Sequence, residues 1–296
     1  MSGIFYNFIT LLSRHFGPWV FMIFAWIVAT GYFLFSPTRV AASTRFYRVL
    51  FPDKSSYYHI WCTWKQYHNF TSVFLDRFLL QDFDDITYTS EGWEHLEDAV
   101  TRKTGGILLM SHMGNWEVAA HLLRQKQEDM RLLLYMGIRH KEQIERIQKQ
   151  SLCQSGIKII AVDQDAQSPF DLVEGIRFLR DGGLVSMTGD ITWKSDQRVI
   201  RTQFLGHEVL LPEVPHVFAL LSGAPIFFFF TFRTGKKQYH FTASQPVYVR
   251  AASRSRRTEA IHNSAQVYAT ALEKTLRQHP FEWYHFESFL GKTLEK

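Results

Sequence analysis

The sequence predicts an α/β protein, a mainly parallel sheet sandwiched by helices, preceded by a hydrophobic, membrane-associated helical segment. Three observations carry that reading. From residue 91 onward, short apolar runs alternate with amphipathic stretches, the pattern of βαβ units. Phe16 to Phe35 contains no charged residue. Aromatic residues make up 16% of the chain, with 26 phenylalanines, a composition suited to deep apolar pockets and lipid interfaces as well as to a Phe-rich core.

The N-terminal run FGPWVFMIFAWIVATGYFLF is about as long, as a helix, as a bilayer core is thick. It is long for a signal peptide, and no small-residue cleavage site follows it. Gly17, Pro18, Thr30 and Gly31 interrupt a plain spanning helix, and its tryptophans suit an interfacial position. Span, monotopic insertion and buried core helix all remain open. Arg39, Arg45, Arg48 and Lys54 follow the run, whereas Arg14 precedes it, so the positive-inside bias puts the larger C-terminal part in the cytoplasm. Residues 1–55 are read as this membrane-associated segment and 56–296 as the main domain. Residues 39–82 read as aromatic-rich helices.

In the second region, residues 91–103 read as a helix stopped by Gly105 and Gly106. Residues 107–111 read as a buried strand and 115–125 as a helix. Strands are expected over 131–136, 157–162 and 184–189, with helices over 141–154 and 168–180. Residues 224–233 and 237–244 read as paired strands around Thr234 and Gly235, 204–212 as a loop and short helix, and 255–278 as the last long helix.

The net charge of +5 and pI of about 9.1 favour anionic partners. No nucleic-acid motif stands out, and no nucleic-acid partner is expected. Cys62 and Cys153 lie far apart and form no metal-like spacing, and His59, His68 and His121 have no zinc-ligand spacing. Neither disulfide framework nor metal site is expected.

The segment GGILLMSHMGNWEVAAHLL carries the chemistry. It places His112 just past a buried strand and Glu117 in the first turns of the next helix, at the carboxyl edge of a parallel sheet, where open α/β folds bind ligands. A carboxylate on one imidazole nitrogen fixes the tautomer and makes the other nitrogen a better base. The helix N-terminus offers N–H groups to a developing oxyanion or a phosphate. The same residues also suit a plain structure, in which Ser111 or Asn115 caps a helix and Glu117 answers its dipole.

The histidine, four residues and acid of His112–Glu117 resemble the motif of the glycerolipid and lipid A acyltransferases, most of all the late lipid A (lauroyl and myristoyl) acyltransferases of Gram-negative bacteria. GGLVSMTGDITWK, with Asp190, is similar to the family's strand ending in an acid. LLSGAPIFFFFTFR, with Arg233, is similar to its helix end, small-residue turn and strand, and HPFEWYHFESFL resembles its tail. The tail departs from the pattern where His285 is followed by Phe-Glu-Ser. Arg139 or Arg146 answers a further family arginine.

The resemblance implies a glycerolipid acyltransferase-like fold at the bacterial inner membrane, with the catalytic domain facing the cytoplasm. His112 is then the general base on an acceptor hydroxyl, and Glu117 orients it. The donor is an acyl thioester, on acyl carrier protein or on coenzyme A, with no bound cofactor. Asn115, Asp190, Gly206 and Arg233 are the expected substrate-binding residues, Gly206 by letting substrate approach closely. The basic cluster Arg250, Arg254, Arg256 and Arg257 suits acyl carrier protein or an anionic membrane surface. The acceptor is a lipid A precursor or related glycolipid; an aryl polyene lipid, a phosphatidylinositol mannoside or a lysophospholipid is the alternative. A non-catalytic lipid-binding membrane protein on the same fold is the reading from another class.

Overall fold

The computed structural model describes residues 12–13, 15–79, 86–126, 130–138, 158–163, 169–192, 197–235 and 237–290. The expected helix at 141–154, Arg139, Arg146 and Cys153 lie outside these residues.

Ahead of the sheet lie the helices α1 (Pro18–Phe35), α2 (Pro37–Leu50) and α3 (Ser56–Leu79). Pro37 starts α2 directly after α1 ends, and the two helices meet at 90°. Proline is tolerated at a helix's first turn and disfavours helical backbone in the residue before it, so Ser36–Pro37 makes the corner. Among the described residues no single helix is long and apolar enough to cross a membrane; only the bent α1–α2 pair meets that test by length and composition. α1 packs on α3 through Trp26 against Trp64 and His68, and Thr30 Oγ1 is hydrogen-bonded to His68 Nε2 at 3.1 Å. The same helix leaves Trp19, Ile23, Ile27, Leu34 and Phe35 exposed.

The sheet is then laid down as β1 (Thr87–Glu91), α4 (Trp93–Thr101), β2 (Gly106–Met110), α5 (Trp116–Lys126), β3 (Leu132–Ile138), β4 (Lys158–Asp163), α6 (Pro169–Arg180) and β5 (Leu184–Thr188). A hairpin of β6 (Val199–Phe204) and β7 (His207–Pro212) follows, then α7 (Val214–Ser222), β8 (Ile226–Gly235), β9 (Gln238–Ala243) and α8 (Arg257–Gln278). The strand order in the seven-stranded sheet is β1-β9-β8-β2-β5-β3-β4. All neighbours are parallel except β8 and β9. The expected mainly parallel sheet between helices is therefore present.

Its central strands bury both faces, which is why they are continuous apolar runs. In β2, Ile107 and Leu109 join one core while Leu108 and Met110 join the other. In β8, Phe228, Phe230 and Phe232 face the first core while Phe227 and Phe229 face the second. Helix α8 covers the first face with the stripe Ile261, Ala265, Tyr268, Ala269, Leu272 and Leu276, at the spacing a core-facing helix requires. Tyr47 and Leu50 of α2 belong to that same core.

Two expectations are corrected here. Residues 204–212 are strand, turn and strand, with the helix starting only at Val214. VIRTQF alternates exposed and buried positions, the period-two signature of a strand. β1 was not expected; TYTSE is a short polar edge strand paired with β9.

One core histidine sets an acid limit. His216 on α7 is fully buried, its Nδ1 hydrogen-bonded to Ser264 Oγ at 2.9 Å, and burial pushes its pKa from the ordinary 6.5 to about 4. The unfolded chain takes that proton as the pH falls through 6.5 while the folded chain refuses it until about 4, so stability declines across that window. The contribution has a ceiling of about 3 kcal/mol. Melting curves between pH 7 and 4.5 should show Tm falling with acid, and His216→Gln should make that fall shallower.

Candidate active site

β2 ends at Met110, and the next five residues bring the chain round to α5. His112 sits in this turn with its side chain 26% exposed. Its Nδ1 lies 3.0 Å from Asp190 Oδ1, and its backbone N–H donates to Asp190 Oδ2 at 2.8 Å. Asp190 follows β5, the parallel neighbour of β2, so the two residues meet at the carboxyl edge because their strands run side by side. Gly189 N–H donates to Met110 O at 2.8 Å and fixes that juncture.

Asp190 is fully buried and accepts a further bond on Oδ2 from Trp283 Nε1–H at 2.8 Å. Burial by itself would raise its pKa. The adjacent His112, its hydrogen bond, nearby His285 and the Trp283 indole together hold the carboxyl below its ordinary range. An ionised Asp190 can only accept, so His112 Nδ1 carries the proton of their shared bond and Nε2 is the basic nitrogen.

The sequence assigned Asp190 to substrate binding and the orienting role to Glu117. The carboxylate at Nδ1 is that of Asp190. Glu117 is buried in the first turn of α5, among the residues nearest the helix's positive end. Its charge also bears on His121, whose pKa burial pulls down to about 4 against the opposing pull of Glu117.

The turn itself is clamped from two sides. Tyr284 N–H donates to His112 O at 2.9 Å, and Gly114 N–H to Glu282 O at 2.8 Å, so the C-terminal tail runs antiparallel to it. On the other side Asn115 N–H donates to Thr231 O of β8 at 3.0 Å. Gly114 has φ +70°, and a Cβ there would lie 1.8 Å from Thr231 O; only glycine fits both the backbone angle and the approach. The sequence matched this tail to the family's by resemblance but gave Glu282, Trp283 and Tyr284 no role. Beyond that resemblance, its residues stood out as the aromatic cluster FEWYHF.

Asn115 caps α5. Its Oδ1 accepts from Val118 N–H at 3.4 Å and its Nδ2 donates to Asp76 Oδ2 at 3.2 Å. Arg233, at the end of β8, sets Nε 3.3 Å from Asp76 Oδ1 and donates from it to Gly235 O at 2.9 Å. Both therefore belong to the framework beside the turn. Gly206 is elsewhere: it occupies the β6–β7 turn with Leu205, at φ +77° and +51°, the paired positive angles of a tight hairpin. Nothing lies within 4 Å of the position its Cβ would take, so turn geometry is what requires a glycine here. Its neighbour Phe204 reaches the Trp283 ring at 5.6 Å.

Among the described residues no group of three or more His, Cys, Asp or Glu is placed to hold a metal ion. A cavity of about 490 Å³ lined by Met22, Ile23, Trp26, Ile27 and Thr30 lies along α1, separate from the His112 site.

A comparison with curated proteins finds none that matches. Residues 47–290, from the buried end of α2 through the tail that clamps the histidine turn, match the model of the bacterial lipid A biosynthesis acyltransferases. That span contains the whole sheet, His112, Glu117, Asp190 and Trp283, and the chain belongs to that family of acyltransferases.

Proposed function

We propose that this protein transfers a fatty acyl group from an acyl thioester, carried on acyl carrier protein, to a hydroxyl of a lipid A precursor or related bacterial glycolipid. The observation that carries the reading is the Asp190–His112 pair at the sheet's carboxyl edge, beside the N-terminus of α5. Asp190 holds Nδ1–H, and Nε2 takes the proton from the acceptor hydroxyl as its oxygen attacks the thioester carbonyl. Charge gathers on the carbonyl oxygen, where N–H groups in the first turn of α5 can meet it. Collapse breaks the carbon–sulfur bond, and the departing thiolate recovers the proton from Nε2–H. No acyl-enzyme forms, and the chain has no Gly-x-Ser-x-Gly elbow to form one. Glu117 acts as a second carboxylate beside the reacting centre. Arg233, with Nε engaged by Asp76 and its side chain part-exposed, has other N–H groups with which to meet an anionic group of the acceptor.

The acceptor is a membrane lipid, and the exposed aromatic and aliphatic residues of α1 support contact with the bilayer. In this reading the catalytic part faces the cytoplasm at the inner membrane. The exposed Arg250, Arg254, Arg256 and Arg257 suit an acidic carrier protein or an anionic lipid surface. The test is transfer from labelled acyl carrier protein to a total bacterial lipid extract. Wild type should label one lipid class, whose mass names the acceptor. His112→Ala should lower the rate by about 10² to 10⁴, the usual worth of general-base assistance, and Glu117→Ala should also lower it severely. Equal labelling by all three proteins would refute the mechanism.

A further inference from the structure

A buried carboxylate outside every motif stands directly behind the catalytic turn. Asp76 comes from the last turn of α3 and is 1% exposed. Ion burial is costly unless the charge is met by hydrogen bonds and an opposite charge. Asp76 meets both conditions. Oδ2 accepts from Asn115 Nδ2–H at 3.2 Å, and Oδ1 faces the Arg233 guanidinium at 3.3 Å.

The pairing follows from what Asn115 has left to offer. Its backbone N–H is committed to Thr231 O, and its backbone carbonyl accepts the first helical bond, from Ala119 N–H at 3.2 Å. Its Oδ1 is committed to Val118 N–H as the helix cap. With Oδ1 fixed on the cap, the amide can point only its NH₂ end at Asp76, and an ionised carboxylate is the side chain that accepts without competing as a donor. Four bonds on one residue then set where the turn ends and where α5 begins. That junction lies three residues after His112 and two before Glu117.

We infer that Asp76 is a positioning residue of the reaction: it locks Asn115, and through Asn115 the register and direction of the turn and helix that carry His112 and Glu117. Arg233 is its counter-ion and joins the end of β8 to the same lock. Because Asp76 belongs to α3, the helix on which the apolar α1 packs, the lock also ties the lipid-facing helices to the reacting centre. The effect on turnover rests on the function proposed above; the effect on the turn does not.

Two readouts on the full-length protein test it. Asn115→Asp keeps a cap oxygen but sets two carboxylates against each other. It should speed amide hydrogen exchange of residues 111–118 at least tenfold while β2 stays protected, and lower kcat by about tenfold or more with KM within twofold. Adding Asp76→Asn to it exchanges donor and acceptor between the two positions and should bring both readouts back to within about threefold of wild type. Asp76→Ala alone should give the exchange signature of Asn115→Asp. Exchange that stays at wild-type rates in the single variants, or rises equally over the whole protein, overturns the inference, as does failure of the exchanged pair to recover protection. If wild type transfers no acyl group while the exchange pattern appears as stated, the proposed function fails and the lock stands.

Discussion

Asp190→Asn should leave a folded protein with little acyl-transfer activity. The oxygen of an asparagine at this position is claimed by the two donors now on Oδ2, the His112 backbone N–H and the Trp283 indole. Its NH₂ group must then face His112 Nδ1, the atom now at 3.0 Å from Oδ1. Two donors cannot share that contact, so the imidazole has to accept at Nδ1 and carry its proton on Nε2, the wrong tautomer for a base. Losses of up to about 10⁴ in kcat follow from such inversions. The shape of the side chain is unchanged, so melting temperature should move far less than activity. A variant within tenfold of wild type in kcat would show that Asp190 does not set the tautomer. The pH course has a definite sign. Asp190's folded pKa lies below its ordinary value, so its ionised form contributes stability above the ordinary carboxylate range, and that share is lost as pH falls from there through the depressed value.

The second large effect is expected at Trp283. It is 2% exposed and rests against Phe46, Phe204 and Phe289, from α2, β6 and the tail. Gln66 Nε2–H of α3 donates to its backbone carbonyl at 2.6 Å. Trp283→Ala empties a site shared by three parts of the molecule and should cost about 3–5 kcal/mol, read as a lowered midpoint in denaturant unfolding. It also strips Asp190 of one donor. Trp283→Phe separates the two effects. The edge-on and tilted ring contacts survive, while the buried carboxylate loses a bond worth about 1–3 kcal/mol, so activity should fall further than packing loss alone explains. Normal activity in the phenylalanine variant would mean the indole N–H has no part in holding Asp190.

The central fold was legible because both faces of the sheet are buried. GILLM and IFFFFTFR have no alternation and no polar residue at their centres, and few other structures suit such runs. The edges were less legible. TYTSE buries little and reads as loop without β9 beside it. In VIRTQF the alternation was present, but Leu205 at positive φ lies outside the usual Asn-Gly or Asp-Gly hairpin signal. At the site, His112 and Glu117 stood out because they share one turn and helix start. Asp190 was picked out as an acid, but its contact with Nδ1 spans 78 positions and depends on β2 and β5 being neighbours. Asp76 carried no signal in the sequence. Its role exists only where α3 passes behind Asn115.

The clamp formed by the tail also bears on when the enzyme comes into being. A ribosome makes the histidine turn long before it makes Trp283 and Tyr284, and the Gln66–Trp283 bond closes a separation of 217 residues. Contacts so distant along the chain are slow to form and follow the local ones. A nascent chain can therefore have its sheet and its amphipathic helices in place while His112 O and Gly114 N–H still lack their partners in the tail. A chain ending before Glu282 would keep the sheet but leave the histidine turn without either of its tail bonds.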